Sequence, residues 1–593
     1  MFTTRPEIKG TYGVAASTHW LASAAGMAIL ERGGNAFDAA VAMGFALQVV
    51  EPHLNGPGGE VPIIFHSAKT ERAQVICGQG TAPAGATIAH YRSEGLDLVP
   101  GSGLLATVVP GAFDAWMIML RDHGTLSLAE VLGHAIAYAQ DGYALVPLIC
   151  QTIERVESLF RDEWHTSADL YLPNGSVPKP GSLFSNPVLA GTYRRLITEA
   201  EAAGGSREQQ IEAARRAWYQ GFVAEEMERF CKSEAVMDSS GERHRGVLTA
   251  SDMAGWQATY EEPVGFDYHG YRLLKGGPWS QGPVFLQQLA LLSGFDFTEL
   301  DPTGPDFVHL VVESAKLAFA DREAYYGDPN FVEVPLETLL SKEYNDARRN
   351  LIGDNASLEL RPGSIAGFDA RIVTGKELDD DDDFDAMGAG EPTVQTNGES
   401  KGDTCHIDVI DRWGNMVSAT PSGGWLQSSP VIPALGFGLN SRAQMFWLEE
   451  GVPASLAPGK RPRTTLSVNL AYRDGEPYMA FGTPGGDYQD QWPLTFLLRH
   501  IHHGMGLQEA IDCPMFQTDH MPSSFWPRSA DLGSLTLEDR FPDATVAELR
   551  QRGHRATTVD GWSLGRLSAA TRQGRLLKAA ANPRFMQGYA IGR

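Results

Sequence analysis

Apolar positions along this chain change period several times, and each change predicts a new element. The run Ala39-Ala40-Val41-Ala42-Met43-Gly44-Phe45-Ala46-Leu47 is apolar on most sides of a helix, which predicts burial all round. Gly33-Gly34-Asn35 marks its start, with Asn35 as N-cap, and Glu51-Pro52 marks its end. Asn55-Gly56-Pro57-Gly58-Gly59 then requires a tight loop, and Val61-Pro62-Ile63-Ile64-Phe65 resumes as a strand. From Leu126 to Arg349 the pattern is mostly helical, clearest over Leu310 to Ala320 and ending near Asp328-Pro329.

Periodicity fades from about residue 354 to 403. This interval holds an aspartate run, Asp379 to Asp383, followed by Gly388, Gly390, Pro392, Asn397 and Gly398, and reads as a solvated flexible linker. The aspartates fit a solvated face better than a cation site. At Thr404 the period becomes two. Cys405, Ile407 and Val409 alternate with Thr404, His406 and Asp408, which predicts a half-buried strand. Asp411 to Asn415 turns the chain, and Met416 to Thr420 returns antiparallel. Leu466 to Tyr472 and Pro477 to Phe481 are further strands, with a helix around Pro493 to His502. Residues 404–593 are expected to form one half of a sheet closed by helices.

Composition narrows the class. A chain of 593 residues with 43% hydrophobic content, 64 Gly and 35 Pro is long enough for a large core and rich in turns. A formal net charge of −25 argues against nucleic acid or an anionic membrane as partner, since clustered Lys and Arg bind those. The five cysteines, Cys77, Cys150, Cys231, Cys405 and Cys513, are scattered and lack a CxxC pair, which suits a reducing compartment. Residues Met1 to Glu7 lack the basic and apolar regions of a secretory signal, and no apolar run reaches ~20 residues, the length of a bilayer span. The expectation is a cytoplasmic protein.

Two places carry candidate chemistry. Thr404 lies between a loose linker and a strand; cleavage of the Asp403–Thr404 bond would give it a free α-amine able to act as its own general base. A threonine opening an edge strand for its β propensity is the bland alternative. Gly482-Thr483-Pro484-Gly485-Gly486-Asp487 joins a strand to a helix, where converging backbone N–H groups suit an oxyanion. A plain strand-to-helix turn is the alternative there.

Taken together, the motifs resemble the γ-glutamyltransferase (γ-glutamyltranspeptidase) family of N-terminal-nucleophile hydrolases over nearly the whole chain. The resemblance rests on Gly33 to Ala42, Val49-Val50-Glu51-Pro52-His53, Val109-Pro110-Gly111, Leu248 to Asp252, Ala318 to Arg322, Tyr326 to Pro329, Asp403 to His406, and Pro484-Gly485-Gly486. It implies an α+β, four-layer αββα fold and an inactive precursor that cuts itself into residues 1–403 and 404–593, which stay associated. Thr404 would attack an amide carbonyl, and the acyl-enzyme would pass its acyl group to water or an amine. Ser422 matches the hydroxyl residue that supports the nucleophile, where threonine is more usual. Gly485 and Gly486 match the oxyanion glycines, and Thr464 and Thr465 match a serine pair that holds the substrate carboxylate.

Departures from the family pattern cluster in the acyl pocket. Gln79 stands where an arginine pairs with the γ-glutamyl α-carboxylate, and Gly424 replaces an asparagine. Asn440-Ser441-Arg442-Ala443-Gln444-Met445 replaces the stretch that holds the α-amine, so an acidic group is missing and Arg442 is present. Arginine without a carboxylate favours an anionic acyl group lacking an α-ammonium. A structural Arg442 is the alternative.

Three readings follow. The first is a self-processing amidohydrolase or acyltransferase for a small γ-glutamyl-like amide. The second is an amidohydrolase for an oxamate-like dicarboxylate monoamide or a β-lactam acyl side chain, and the third an uncut, non-catalytic family member. No cofactor or metal is expected. The expected partners are a small-molecule amide and the two fragments of the chain itself, with self-association into a homo-oligomer compatible. His500, His502 and His503 do not match zinc spacing, Pro278 breaks a GxSxG pattern around Ser280, Gly101-Ser102-Gly103 is too short for a dinucleotide loop, and Cys405 reads as a packed core thiol.

Overall fold

Thr404 lies just ahead of Ile407–Asp411, the third strand of a sheet that neither half of the chain builds alone. In the computed structural model, residues 2–375 and 404–593 are described. Asp403 and the aspartate run Asp379 to Asp383 lie outside the described residues. One seven-stranded antiparallel sheet has the order Tyr589–Gly592, Gly13–Ser17, Ile407–Asp411, Met416–Ala419, Val61–Ser67, Arg72–Gly78, Thr259–Glu261. The other has the order Ile8–Gly10, Leu576–Ala581, Ser568–Gln573, Glu476–Gly482, Asn469–Arg473, Tyr271–Lys275, Val264–Tyr268 and also counts seven strands. Both sheets combine segments from before 376 with segments from after 403.

The sheets meet face to face through small side chains, among them Ala16, Val14, Ile410, Ala480, Ala570 and Ala579. Helices Trp20–Glu31, Ala36–Val50, Ala112–His123 and Leu128–Asp141 cover the outer face of the first sheet, packing on Ala15, Ile407, Val409 and Val417. Helices Gly282–Leu292, Pro305–Tyr325 and Trp492–His503 cover the second through Leu273, Ala471, Met479 and Phe481. The result is the expected αββα order of four layers.

Helix Ala36–Val50 is buried at every position, as its sequence requires. Asn35 caps it in a capping box with Asp38, and the Asp38 carboxylate also accepts from Thr125 and Leu126. The Gly-Gly-Asn-Ala-Phe-Asp motif is thus a helix start pinned to a neighbouring loop.

Two expectations fail for tertiary reasons. Strand Ile407–Asp411 is buried on both faces rather than one, because His406, Asp408 and Ile410 face the second sheet while Ile407 and Val409 face helices. Residues 354–375 are not a free linker. Gly363 donates to Asp321, Ala356 to the Arg552 carbonyl and Gly375 to the Arg528 carbonyl, while Ile365 packs into a cluster with Phe319. Strands Val264–Tyr268 and Tyr271–Lys275 also interrupt the interval read as helical. No described helix is long and apolar enough to cross a membrane.

Candidate active site

The first residue of interest is held by three strands of backbone. Thr404 bridges Ser422 antiparallel, and Ser422 bridges Glu60 on its other side, with Ser422 N to Glu60 O at 3.0 Å and Glu60 N to Ser422 O at 2.9 Å. Side chains follow the same order. Thr404 Oγ1 and Ser422 Oγ lie 3.2 Å apart, Arg442 Nη2 donates to Ser422 Oγ at 2.8 Å, and Arg442 Nε donates to Glu60 Oε1 at 2.6 Å. All four residues are buried.

Glycines make this approach possible. A Cβ on Gly59 would sit 2.0 Å from the Ser422 carbonyl oxygen, and one on Gly56 would sit 2.1 Å from that of Gly424. The loop Asn55 to Gly59 therefore lies backbone to backbone against Ser422 to Gly424. Gly424 itself has φ +62, and a Cβ there would meet Gly59 N at 2.8 Å. An asparagine has no room at this position.

Behind Thr404, the neighbouring Cys405 thiol points to the helix side and donates to Glu51 Oε2 at 2.9 Å, an oxygen that also accepts from Thr18 Oγ1 at 2.6 Å. Gln587 donates to the other Glu51 oxygen. Burial raises the Glu51 carboxyl and the Cys405 thiol above their ordinary ranges, so the thiol is protonated and structural at neutral pH. Glu51 thus anchors the strand that carries the threonine.

In front, His406 reaches the second sheet. Its ring lies between Thr420 Oγ1 at 3.0 Å and Asp408 Oδ1 at 3.1 Å, directly over Gly482, where a Cβ would come within 2.3 Å of the ring. Gly482 ends the strand leading into Thr483-Pro484-Gly485-Gly486. Gly482→Ala is expected to push the sheets apart at this point at a cost of about 1–3 kcal/mol. A thermal melt unchanged by that substitution would contradict the close contact.

Gly485 takes φ +118 and Gly486 φ +49, backbone that favours glycine at both positions. Both carbonyls are tied back to protein: Tyr488 N donates to Gly485 O at 2.8 Å and Gln281 Nε2 to Gly486 O at 3.2 Å. Arg322 fastens the same turn through Gln281 Oε1 at 2.7 Å and through Asp487. The Ala-Asp-Arg end of helix Pro305–Tyr325 is therefore what orients the glycine turn.

Thr464 and Thr465 lie on the segment entering the second sheet. Thr464 N donates to Trp279 O and its carbonyl accepts from Gln281 N, both at 2.9 Å, which joins it to the glycine turn. Thr420 Oγ1 donates to Ser467 O at 3.0 Å, which joins it to His406. Gln79 is buried beside this segment, since Ala82 N donates to Lys460 O at 2.8 Å. The Gln79 Oε1 and Thr465 Oγ1 atoms are buried and have no hydrogen-bond partner among the described residues. Hydrogen bonds thus join Thr404, Ser422 and Arg442 in one group and Thr464 with Gly486 through Gln281 in another. Ser422 and Glu60 hold the Arg442 guanidinium, flanked by the Trp425 and Phe525 rings.

Reasoning from the sequence missed Glu51 and Glu60. Glu60 had one legible signal, an acid directly after a glycine-rich loop in a protein with an otherwise unexplained arginine. A separate buried group, His309, Glu313 and His554, brings its ligand atoms within 4.8 Å of one another. Lys316 Nζ at 2.6 Å and Arg361 Nη2 at 3.2 Å already neutralise Glu313, and His309 Nδ1 meets His554 Nε2 at 2.8 Å. This is a hydrogen-bonded ion cluster, and a further cation there would be repelled.

The Gamma-glutamyltranspeptidase family profile matches residues 22–592. The chain belongs to the γ-glutamyltranspeptidase family. It is a self-processing N-terminal-nucleophile enzyme of the amidohydrolase and acyltransferase type. Glutathione hydrolase-like YwrD proenzyme of Bacillus subtilis (strain 168) is 30% identical, with 98% of this chain and 99% of that protein covered. Acylase ACY 1 proenzyme of Pseudomonas sp. (strain SE83) is 32% identical over 92% of this chain and 87% of that one. The solved structure of LmbA2991HD is 56% identical with a TM-score of 0.93, covering 100% of both chains. Gly424 is enforced by the glycine loop packed against it.

Proposed function

We propose that cleavage of the Asp403–Thr404 bond makes Thr404 the nucleophile, with its own α-amine as general base, in hydrolysis or transfer of a small acyl amide. The observation that carries this reading is the buried Thr404–Ser422 hydroxyl pair, 3.2 Å apart at the opening of a central strand. The α-amine takes the hydroxyl proton as Oγ1 bonds to the acyl carbon, and the same proton then goes to the leaving amine. Gly485 and Gly486 donate their backbone N–H groups to the oxyanion. Water or an acceptor amine then releases the acyl group.

Gln79, Thr464 and Thr465 are the acyl-holding residues in this reading. The unpartnered Gln79 Oε1 and Thr465 Oγ1 suit a polar acyl terminus. The acid beside Arg442, Glu60, is engaged by the Arg442 guanidinium at 2.6 Å, an arrangement that disfavours an α-ammonium there; the substrate in this reading is a small acyl amide without an α-amino group, of the glutaryl or oxamate-like kind. The acylase name among the relatives supports the same direction. The five free cysteines support a reducing, cytoplasmic setting.

Two experiments test this. With the cleaved enzyme, glutaryl-p-nitroanilide is expected to exceed γ-glutamyl-p-nitroanilide in kcat/KM by at least about tenfold, the scale of one lost charge-assisted contact. Equal efficiency for the γ-glutamyl substrate sinks the acyl assignment. In the pH profile, the α-amine must be neutral to accept a proton. The rate should therefore fall tenfold per pH unit below a pKa near ~7.7–8. A rate flat from pH 5 to 9 excludes the α-amine as base.

A further inference from the structure

We propose that Ser524, gripped by Arg463, is a positioning residue for the oxyanion turn, holding Asp487 so that the neighbouring Gly485 and Gly486 N–H groups keep their aim. The inference rests on those two amides carrying the oxyanion charge, and it adds a residue that no motif in the sequence singles out.

The turn cannot hold its own shape. Gly485 and Gly486 are consecutive glycines at φ +118 and +49, and without a Cβ neither has a steric barrier that fixes the direction of its N–H. Whatever aims those amides must act from outside. Gln281 Nε2 reaches Gly486 O at 3.2 Å. The next residue, Asp487, is buried, and its carboxylate is held at both oxygens. Ser524 N donates to Oδ2 at 2.8 Å and Ser524 Oγ to Oδ1 at 2.7 Å, while Arg322 Nη1 also donates to Oδ1. A carboxylate gripped at both oxygens by one residue is fixed in rotation as well as in position. Ser524 therefore locks the side chain whose backbone continues the glycine pair.

Charge makes this grip strong and sets its direction. Burial alone would raise the Asp487 carboxyl, but Arg322 and Arg463 outweigh it and hold the group below its ordinary range, leaving a carboxylate at neutral pH. A carboxylate only accepts and a guanidinium only donates. Arg463 Nη1 donates to Ser524 Oγ at 2.8 Å, so the serine oxygen accepts from a cation and directs its proton at an anion. Hydrogen bonds with an ionised partner are roughly twice as strong as neutral ones, and this hydroxyl has one on each side.

Both supports are anchored in turn. Arg463 Nη2 donates to Glu323 Oε1 at 2.8 Å, the oxygen that Arg322 Nε and Nη2 hold at 2.9 and 2.6 Å. The arginine that grips Ser524 is thus tied to the arginine that grips Asp487. Ser524 itself lies in a closed loop, in which Ser523 N donates to Ser529 O at 2.9 Å and Arg528 N to Phe525 O at 2.7 Å. Arg528 Nη1 fastens that loop to Met445 O at 2.9 Å and Phe446 O at 3.1 Å. Arg463 directly precedes Thr464 and Thr465, so the segment that holds the acyl group in the proposed reading also steadies the oxyanion turn.

The test uses cleaved enzyme with an anionic acyl substrate, glutaryl-p-nitroanilide, and a neutral one, valeryl-p-nitroanilide. Ser524→Ala removes the hydroxyl and keeps the backbone N–H on Asp487. It is expected to lower kcat about 10- to 100-fold on both substrates, with KM changed less than about threefold, the scale of a reacting group displaced by about an ångström. In a Gly485→Ala background the same substitution should cost less than about threefold, since the turn is already displaced. Unchanged kcat in a folded, cleaved Ser524→Ala enzyme overturns the proposal, as do additive losses in the Gly485→Ala background. A raised KM with unchanged kcat also overturns it, in favour of a residue that shapes the acyl pocket through Phe525. Should Ser524→Ala fail to fold or to cleave, Arg463→Met provides the second variant. It should show the same substrate-independent loss of kcat, about 3- to 10-fold, and a wild-type kcat there defeats the proposal. Gly485→Ala alone separates the two claims. A kcat within about threefold of wild type in that variant removes the oxyanion assignment itself, whereas a damaged Gly485→Ala beside an intact Ser524→Ala removes only the role of Ser524.

Discussion

Thr404→Ala is expected to leave one uncut chain of 593 residues and to reduce amide turnover by on the order of 10⁶-fold, the scale on which a deleted nucleophile removes covalent catalysis. Both losses have one cause. In the proposed mechanism the hydroxyl that attacks the substrate carbonyl also attacks the bond preceding Thr404, and Thr404 is buried beside Ser422. Alanine keeps the strand, because the Thr404 bridge to Ser422 is made by backbone and the Cys405 thiol still meets Glu51. The variant should therefore fold with an unfolding temperature close to that of the uncut parent. Thr404→Ser should restore part of both activities, since the hydroxyl returns without the methyl group that limits its rotamers. A denaturing gel, intact mass and a p-nitroanilide assay decide it: two fragments, or turnover above background, in the alanine variant would refute the mechanism.

Gly485→Ala should be the next most damaging change, lowering kcat about 10²–10³-fold with KM altered little, as the loss of one oxyanion donor does. Residue 485 sits at φ +118, where an L side chain is strained, and an added Cβ would come 2.6 Å from the Trp492 ring. Trp492 is buried at the start of helix Trp492–His503 and has no room to withdraw. The turn would move instead, taking the N–H groups of residues 485 and 486 off the oxyanion position while Arg322 still holds Asp487. Steady-state kinetics on the cleaved enzyme provide the measurement. A kcat within threefold of wild type would show that these amides do not carry the oxyanion charge.

Much of this arrangement is visible in residue order. Helix Ala36–Val50 announces itself by an unbroken apolar run behind an Asn cap, and strand Glu476–Gly482 by its turn at Asp474-Gly475. Thr404, Gly485 and Gly486 stand out by local chemistry, a strand start and backbone that glycine favours, whereas Ser422 is singled out only by the family resemblance. Strands Val264–Tyr268 and Tyr271–Lys275 were hidden among helical signals, since short strands owe their form to pairing partners more than to their own periodicity. Residues 354–375 read as solvated because their polar groups show no partner in the sequence, whereas Asp321, Arg552 and Arg528 supply them in space.

By itself, the amino-acid sequence determined the class of chemistry, through motifs spread in the family's order along the chain, and pointed to Thr404 as the proposed centre. Tertiary structure alone decided what surrounds that centre. Arg442 and Glu60 are 382 residues apart, and no pattern along the chain says that one guanidinium will face the other's carboxylate and a serine hydroxyl rather than a substrate. Likewise Gly424 is a missing asparagine in the sequence but a necessity in the fold, where the loop Asn55 to Gly59 fills the space a side chain would need. Covalent neighbours fix what a residue can do; the packing of distant segments fixes what it is pointed at.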